Sequence, residues 1–259
     1  TNSLNPFQEF QRIPTKYAND WTHFSINGKD YLVVANFYSG DKWISDSSTN
    51  FYQDSVIYLH DSTKTSDPFQ PFQSIGTKGA KDWEYFSING NHYLAVANFK
   101  SGSGHATDSV IYQYDETKLT NPFYEIQNIP TKGATDLEYF SIAGKHYLAV
   151  ANQYNEKNWN LDSIIYQYDD SKSTNPFVEY ESIPTKGAFD WEHFSIGDKH
   201  YLAIANQRTS SYHQQSIIYD RSTFVITPES DDGIALKMLS FPSAGSVPQQ
   251  ISAKTCTTE

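Results

Sequence analysis

Apolar and polar positions along this chain follow a short-strand pattern that is written four times. The stretch DWEYFSI (Asp82–Ile88) is rich in aromatic and β-branched residues, and HYLAVAN (His92–Asn98) is apolar at nearly every position. Asn89-Gly90 lies between them, and such a pair is typical of a two-residue β-hairpin turn. No segment shows the apolar period of an amphipathic helix. The pattern therefore predicts an all-β protein.

Each copy contains four strands, which we call a, b, c and d. Strands a and b form the hairpin, SVIYQYD (Ser109–Asp115) is strand c, and PFYEIQNIP (Pro122–Pro130) is strand d. The copies share marker residues: Asp20, Asp82, Asp136 and Asp190 in strand a, Asn36, Asn98, Asn152 and Asn206 at the end of strand b, and Ser55, Ser109, Ser163 and Ser216 at the start of strand c. Four antiparallel strands at this period are typical of a β-propeller blade.

The order of the strands predicts a four-bladed β-propeller that is closed by its N-terminal strand. Residues 5–13 read as a strand d without a preceding strand a, and Ser216–Asp220 reads as a strand c without a following strand d, so we expect the two to pair. The alternative takes Phe224–Ile226 as the last strand. The predicted units are a domain over 1–220, with repeats at about 16–75, 78–129, 132–183 and 186–220 plus 5–13, and a C-terminal extension over 221–259, partly packed and partly mobile.

Charge and cysteine content narrow the class of partner. The formal net charge is −11, and such an acidic surface repels phosphate backbones and anionic lipids. No apolar run approaches the roughly 20 residues that span a bilayer. We therefore expect neither nucleic-acid binding nor membrane insertion. Cys256 is the one cysteine, so no internal disulfide forms, and a homodimer through Cys256 or the C-terminal tail is one alternative to an unpaired thiol.

The repeated residues resemble the EAR, or epitempin (EPTP), repeat. That family carries GA-x-D-W-E-x-F, G-x-x-Y-L-A-V-A-N and S-x-I-Y, which copies two to four match nearly throughout, whereas the first copy has Tyr17 for Gly and Thr22 for Glu. The resemblance covers residues 5–220. It implies a secreted or cell-surface propeller that binds other proteins, as in the leucine-rich glioma-inactivated proteins. Members usually have seven repeats, so a seven-bladed ring would need another chain.

Propeller geometry places the d–a and b–c connections together on one face, which we call the top face. The b–c segments differ most among the copies, and recognition residues concentrate in such loops. Their aromatic and polar side chains resemble contact loops in which rigid rings provide area at low entropic cost, although the rings could instead pack between blades. The predicted ligand-binding residues are Tyr38, Trp43, Phe51, Tyr52, His105, Tyr154, Trp159, Arg208, Tyr212 and His213.

The repeated acids are the candidate metal ligands. Asp20, Asp82, Asp136 and Asp190 each begin an innermost strand, and like charges held together favour a cation. Calcium in the central channel is the predicted cofactor, because it accepts several oxygen ligands in flexible geometry. The alternative is that each Asp accepts hydrogen bonds from turn N–H groups or pairs with a nearby lysine. The histidines before strand b lack zinc-ligand spacing and are predicted to be structural: His92, His146 and His200.

Three functions follow from these features. The first is a non-enzymatic, secreted module that binds an extracellular or cell-surface protein through the top-face b–c loops. The second is a multivalent lectin that binds a glycan with one weak site in each blade. The third is a hydrolase with its active site in the channel, although no carboxylate pair stands out from the repeat. The asparagines that end strand b are expected to be buried amides that tie loop backbone.

Overall fold

The computed structural model describes residues 7–39, 48–102, 104–208 and 214–221, which fold into four antiparallel sheets in chain order. Each sheet is blade-like, as predicted; in the described part of the chain the first three sheets have strands in the order a, b, c, d, and the fourth has strands a, b and c. The blades consist of β1 (Ala18–Ile26), β2 (Lys29–Asn36), β3 (Tyr52–His60) and β4 (Phe69–Lys78); β5 (Ala80–Ile88), β6 (Asn91–Asn98), β7 (Ser109–Tyr114) and β8 (Phe123–Ile129); β9 (Ala134–Ile142), β10 (Lys145–Asn152), β11 (Asn160–Tyr168) and β12 (Phe177–Lys186); and β13 (Ala188–Ile196), β14 (Lys199–Asn206) and β15 (Ile217–Asp220).

A short 3₁₀ helix, Ser48–Phe51, precedes β3. No helix in the described part of the chain has the length and apolar character needed to cross a bilayer. The a strands are innermost, because β1, β5, β9 and β13 contact one another in that order. The hairpins between strands a and b have the predicted turns. Asn89 and Gly90 have φ of 52° and 80°, which lets β5 and β6 pair from Ile88 and Asn91 onward.

Consecutive blades pack face to face, and we call each such interface a seam. The side of a blade that meets the next blade is its trailing face, and the opposite side is its leading face. In the first seam Phe24 and Ile26 of the trailing face pack with Trp83 of the next leading face, and all three are at most 2% exposed. Phe24 also stacks on Tyr85 with ring centroids 4.7 Å apart. Burial of each such side chain contributes about 1.5–3 kcal/mol, and the buried apolar clusters join residues of neighbouring blades.

The same seam recurs twice with small changes. Phe86 stacks on Tyr139 at 4.7 Å in the second seam, and Phe140 stacks on His193 at 4.8 Å in the third. The aromatic-rich composition follows from this arrangement, because strand a of an internal blade presents rings both to the blade before it and to the blade after it.

A glutamine in strand d joins neighbouring blades at their outer edge. The Gln127 side chain donates to the Phe177 carbonyl at 2.6 Å and accepts from the Phe177 N–H at 2.9 Å. Gln73 makes the same two bonds with Phe123. Gln11, near the N-terminus, makes them with Phe69. Residues around Gln11 therefore lie where strand d of a preceding blade would lie.

The two ends of the row of blades differ from its interior. Trp21 is 40% exposed, whereas its equivalent Trp83 is 1% exposed; Ile196 is 66% exposed, whereas its equivalent Ile88 is 1% exposed. Among the described residues the fourth sheet has three strands, the last of which is β15, and residues 7–15 contain no strand. Closure of the ring by the N-terminal strand therefore stays a prediction. Phe224–Ile226, Cys256 and the extension beyond residue 221 lie outside the described residues.

Candidate functional site

A buried asparagine at the end of each strand b ties the top-face loops together. Asn98 is 2% exposed; its side-chain oxygen accepts from the Lys78 N–H at 2.8 Å and its amide donates to the Asp108 carbonyl at 2.9 Å. Asn36, Asn152 and Asn206 make the same pair of bonds. The predicted role of these asparagines is confirmed. Each one fixes the start of a b–c segment against the d–a loop of its own repeat.

Asn98→Asp is expected to lower the free energy of unfolding by about 2 kcal/mol. The carboxylate keeps the acceptor for Lys78 but turns a second oxygen toward the Asp108 carbonyl, where a donor is required. Urea denaturation at pH 7 measures the loss. Asn91→Asp is the matched control, because Asn91 is exposed in the same strand and its oxygen accepts only from the Gln113 side chain among the described residues. Equal losses in the two variants would contradict the assignment.

A glycine in the d–a loop before the second, third and fourth blades receives the b–c segment of the preceding blade. The N–H of Gly133 donates to the His105 carbonyl at 2.6 Å, and the N–H of Gly187 donates to the Trp159 carbonyl at 2.5 Å. Gly79 does the same with Phe51 at 2.6 Å. The top-face loops of neighbouring blades are therefore joined by backbone hydrogen bonds, and the side chains at the acceptor positions are held at the seams.

Those side chains form a pair across each top-face seam. The Lys100 ammonium lies 4.9 Å from the centre of the Phe51 ring, and the Arg208 guanidinium lies 4.5 Å from the Trp159 ring. In the seam between them the His105 and Tyr154 rings meet edge to face at 5.0 Å. One backbone geometry thus holds three different chemical pairs, which we call the seam pairs. Cation–π contacts of this kind contribute about 0.5–1 kcal/mol at exposed sites.

The structure therefore places the predicted ligand-binding residues in two settings. Tyr52 is 51% exposed at the start of β3, whereas Tyr38 is 2% exposed beneath Tyr17 and Phe51. The half-buried or buried members of seam pairs are Phe51, His105, Tyr154, Trp159 and Arg208. Trp43, Tyr212 and His213 lie outside the described residues. Most of these rings pack between blades, which is the alternative that the sequence left open. Their assignment as ligand contacts stays a prediction.

His105 is held by more than its ring contacts. Its Nδ1 lies 2.7 Å from Glu156 Oε1, its backbone N–H donates to the same carboxylate, and Phe99 packs on the ring at 4.7 Å. Burial lowers the pKa of His105, so the imidazole is neutral at pH 7 and Nδ1–H donates to Glu156. The Glu156 loop is thereby fixed to the preceding blade. Sequence reasoning named His105 but missed Glu156.

The acids of the innermost strands accept hydrogen bonds from the next blade. Asp82 accepts from the Leu137 N–H at 3.0 Å and Glu84 accepts from the Tyr139 N–H at 3.0 Å. In the following seam Asp136 and Glu138 accept from Trp191 and His193 at 2.8 and 2.9 Å. These carboxylates therefore accept hydrogen bonds from backbone N–H groups, which was the alternative to a metal site. The donors belong to the next strand a rather than to a turn.

Burial of these carboxylates changes their acidity. Desolvation raises the pKa of Glu84 and of Asp136 to about 8 and that of Glu138 to about 7, against the opposing hydrogen bonds from the backbone. The pKa of Asp82 is also raised, by desolvation and by the charges of Asp136 and Asp20. The inner wall therefore holds carboxyl groups that ionise only near or above neutral pH.

No group of three or more acidic, histidine or cysteine side chains within the described ranges is arranged to hold a metal ion. Oxygens of Asp82 and Asp136 are already directed at backbone donors. These carboxylates have the donor chemistry that calcium prefers, but the calcium site of Asp20, Asp82, Asp136 and Asp190 stays a prediction.

The histidines before strand b are structural, as predicted. His92 Nδ1 lies 2.7 Å from the Tyr85 hydroxyl, and His146 Nδ1 lies 2.7 Å from the Tyr139 hydroxyl. His200 bonds the ring of His193 in the same way at 3.3 Å. Each pair lies across the a–b hairpin of one blade, where it supports the ring that stacks on the preceding blade.

The repeat geometry corresponds to a known family. The EPTP domain model matches residues 7–61, 69–115, 123–169 and 177–222. The chain belongs to the EPTP family. Among curated proteins, the human thrombospondin-type laminin G domain and EAR repeat-containing protein is 39% identical over 272 residues, which cover 82% of this chain and 39% of that protein. Leucine-rich repeat LGI family member 3 of Macaca fascicularis is 28% identical, over 76% of this chain and 31% of its own length. The chain spans less than two fifths of these relatives.

The matched EPTP repeats run d–a–b–c, out of phase with the sheets. Each match after the first begins at the phenylalanine that opens strand d, as at Phe69 and Phe123. A sheet therefore takes strands a, b and c from one repeat and strand d from the next. In the fourth sheet the described strands a, b and c belong to the fourth EPTP repeat, and the d strand of that repeat is β12 in the third sheet.

Solved structures resemble this EPTP chain only distantly. A GH43 β-xylosidase/α-arabinofuranosidase from a compost metagenome, in complex with xylotriose, has a TM-score of 0.43 at 14% identity and covers 84% of this chain and 72% of its own. A GH43_1 enzyme from Xanthomonas citri has a TM-score of 0.44 at 15% identity, over 83% and 71% of the two chains. Similarity at this level carries no inference about the chemistry of this chain.

Proposed function

We propose that this chain is a non-enzymatic extracellular recognition module that binds a protein ligand through its top face. The observation that carries the proposal is the difference among the seam pairs, Lys100 on Phe51, His105 with Tyr154, and Arg208 on Trp159. The backbone repeats from seam to seam while the chemistry at the surface does not. A surface of this kind suits one extended, uneven ligand.

The same observation disfavours a multivalent lectin. Binding of one sugar in each blade requires the same side chains at equivalent positions, and the seams offer a lysine on a ring, a ring on a ring and an arginine on a ring. The relatives also support a recognition role, since one similar protein carries EAR repeats together with a thrombospondin-type laminin G domain and another is a leucine-rich repeat protein of the LGI family.

The carboxylates of the inner wall support the non-enzymatic part of the proposal. A general acid needs a raised pKa, which Glu84 and Glu138 have, but it also needs an oxygen that can reach the substrate. One oxygen of each of these side chains accepts from the backbone of the next blade, which fixes the carboxyl group within the seam. Their raised pKa is therefore the consequence of seam burial. Calcium would act in this module by neutralising Asp20, Asp82, Asp136 and Asp190 and stiffening the inner wall.

The test is binding of the purified, labelled chain to an array of secreted and cell-surface ectodomains and to a glycan array, each with calcium and with chelator. We expect saturable binding to an ectodomain that Tyr52→Ala and Trp159→Ala each weaken by about tenfold or more, as contact residues do. Leu119→Asp is the control, since Leu119 is 98% exposed in a c–d loop on the opposite face. Binding of one sugar class without any ectodomain would establish the lectin instead.

A further inference from the structure

Two internal seams hold like charges next to each other on the top face. In the first seam the carbonyl of Lys78 accepts from the N–H of Lys100 at 3.2 Å. In the third seam the carbonyl of Lys186 accepts from the N–H of Arg208, also at 3.2 Å. Each bond makes two cationic residues direct neighbours, one at the end of strand d and one in a b–c segment. We call these two pairs the cation sites.

An aromatic ring of the preceding blade positions the second cation of each site. The Lys100 ammonium lies 4.9 Å from the centre of the Phe51 ring. The Arg208 guanidinium lies 4.5 Å from the Trp159 ring. The backbone carbonyl of each ring residue also accepts from the glycine that follows the lysine of the same site. A ring attracts a cation through its quadrupole and does not remove the charge, so the sites are pre-organised and still positive.

Carboxylates do not neutralise the lysines of these sites. In the strand register Lys78 lies opposite Tyr52 and Lys186 lies opposite Asn160, so neither lysine has an acid directly across the ladder. Among the described residues, no ion pair joins Lys78, Lys100 or Lys186 to an acidic side chain. The formal net charge of the whole chain is −11, so the two sites are positive exceptions on an acidic protein. Like charges held close together favour the binding of an ion of opposite sign.

The seam between the two cation sites has a different chemistry. The Lys132 carbonyl accepts from the Tyr154 N–H at 3.2 Å, so an aromatic residue takes the place of the second cation. The ring that meets Tyr154 is the neutral His105, which bonds the Glu156 carboxylate. This seam therefore contributes one lysine and one carboxylate, whose charges cancel. The top face has two positive sites with a stretch of no net charge between them.

We propose that the two cation sites bind carboxylates of an acidic segment of the protein ligand, an inference that rests on the proposed function. The Arg208 guanidinium can keep its face on Trp159 while its N–H groups donate to both oxygens of a carboxylate. A segment with two acidic clusters separated by neutral residues fits the face, because its middle lies over the seam that contains Glu156. A uniformly charged polyanion, such as a sulfated glycan, would place anionic groups against that carboxylate.

Fluorescence anisotropy on the full chain tests the proposal, with a labelled peptide that carries two pairs of glutamates joined by a Gly/Ser linker. We expect binding that weakens at high salt and is lost when glutamine replaces glutamate in the peptide. Lys100→Gln and Arg208→Gln should each weaken it by roughly 2–5-fold, the value of an exposed ion pair. Lys118→Gln is the matched control, because the Lys118 ammonium also lies over a ring, 3.6 Å from that of Tyr124, but in a c–d loop on the opposite face.

Three results would overturn the cation sites: no binding of the glutamate peptide, equal binding of the glutamine peptide, or equal weakening by Lys118→Gln. A heparin oligosaccharide is the second probe, and heparin binding without peptide binding would assign the sites to a sulfated glycan instead. The ectodomain array reports on the proposed function separately. An ectodomain that binds wild type and the Lys100→Gln/Arg208→Gln chain equally refutes the cation sites and leaves the recognition role standing. Peptide binding without any ectodomain supports the sites and contradicts that role.

Discussion

Gly133→Ala is expected to lower the free energy of unfolding by about 3 kcal/mol or more. Gly133 has φ of +58°, and a Cβ there would lie 2.6 Å from the Tyr154 carbonyl oxygen. The left-handed conformation alone costs an L-residue roughly 1–2 kcal/mol, and the collision must be relieved by backbone that Asn152 and the seam hold in place. Gly133 N–H also bonds the His105 carbonyl, so the strain reaches the preceding blade.

Gly144→Ala separates the cost of the left-handed conformation from the cost of the steric collision. Gly144 has φ of +72° in the hairpin of the same blade, but nothing lies within 4 Å of a Cβ built there. Its substitution should cost only the conformational part, roughly 1–2 kcal/mol. Thermal and urea unfolding of the two variants measure the difference. If Gly144→Ala costs as much as Gly133→Ala, the close approach of the Tyr154 backbone does not explain why the loop contains glycine.

The first repeat shows why the sequence could predict this glycine position but not its cause. Tyr17 occupies the place of Gly133 and has φ of 47°, so the backbone conformation is kept without glycine. Tyr17 is 48% exposed and packs edge to face on Tyr38 of its own blade. At the internal seams the glycine N–H bonds the preceding blade, as Gly133 bonds His105, whereas the backbone that approaches its Cα belongs to the b–c segment of its own blade.

The a–b hairpins and the four-sheet architecture could be predicted, because they depend on local patterns. Asn-Gly turns, apolar b strands and the serine that opens strand c each act within one repeat. The buried asparagines follow from the same logic, since an enclosed amide needs partners and loop backbone is nearest. These features could be predicted by aligning one copy of the repeat with the next.

The surface was harder to predict, because its side chains meet across seams. Phe51, His105 and Trp159 each lie four residues before the strand-c serine, and Lys100, Tyr154 and Arg208 each lie two residues after the strand-b asparagine. These two sets of equivalent positions can be read from the aligned repeats, and they contain both members of every seam pair. The alignment does not contain the rotation between neighbouring blades, which brings a residue of one set against a residue of the other. Loop divergence alone therefore does not show which of these rings pack within a seam.

Rising pH is expected to destabilise the protein above neutrality, and this is the second large effect. Glu84 and Asp136 have pKa values raised to about 8, and Glu138 to about 7, because burial disfavours their charged forms. In the unfolded chain such groups ionise near pH 4. Between the two values the native state binds more protons than the unfolded state, so stability falls as pH rises. The loss continues until the native carboxyl groups are ionised.

Measurements between pH 6.5 and 8.5 isolate the effect of the raised carboxyl pKa values on stability. Burial lowers the pKa of His105 and of His193, and groups of this kind make the protein more stable as pH rises. That gain is complete above the unfolded histidine pKa of about 6.5, so it does not change the stability within this window. The exposed Asp115, whose pKa is lowered by hydrogen bonds from Thr117, titrates well below the window. A fall of at least about 2 kcal/mol is expected across it, since each unit of pKa difference is worth about 1.4 kcal/mol.

Urea denaturation in chelator at pH 6.5 and 8.5 measures the fall, and Glu84→Gln assigns it. Glutamine keeps an oxygen for the Tyr139 N–H but cannot ionise, so the variant should lose a substantial part of the pH dependence. Glu116→Gln in an exposed c–d loop should leave it unchanged. Calcium added at pH 8.5 restores stability if the inner acids bind it, because the cation then offsets the charges that burial leaves unfavourable. Stability that rises with pH in chelator, or a Glu84→Gln profile equal to wild type, would show that the inner wall is hydrated and its carboxylates ionised.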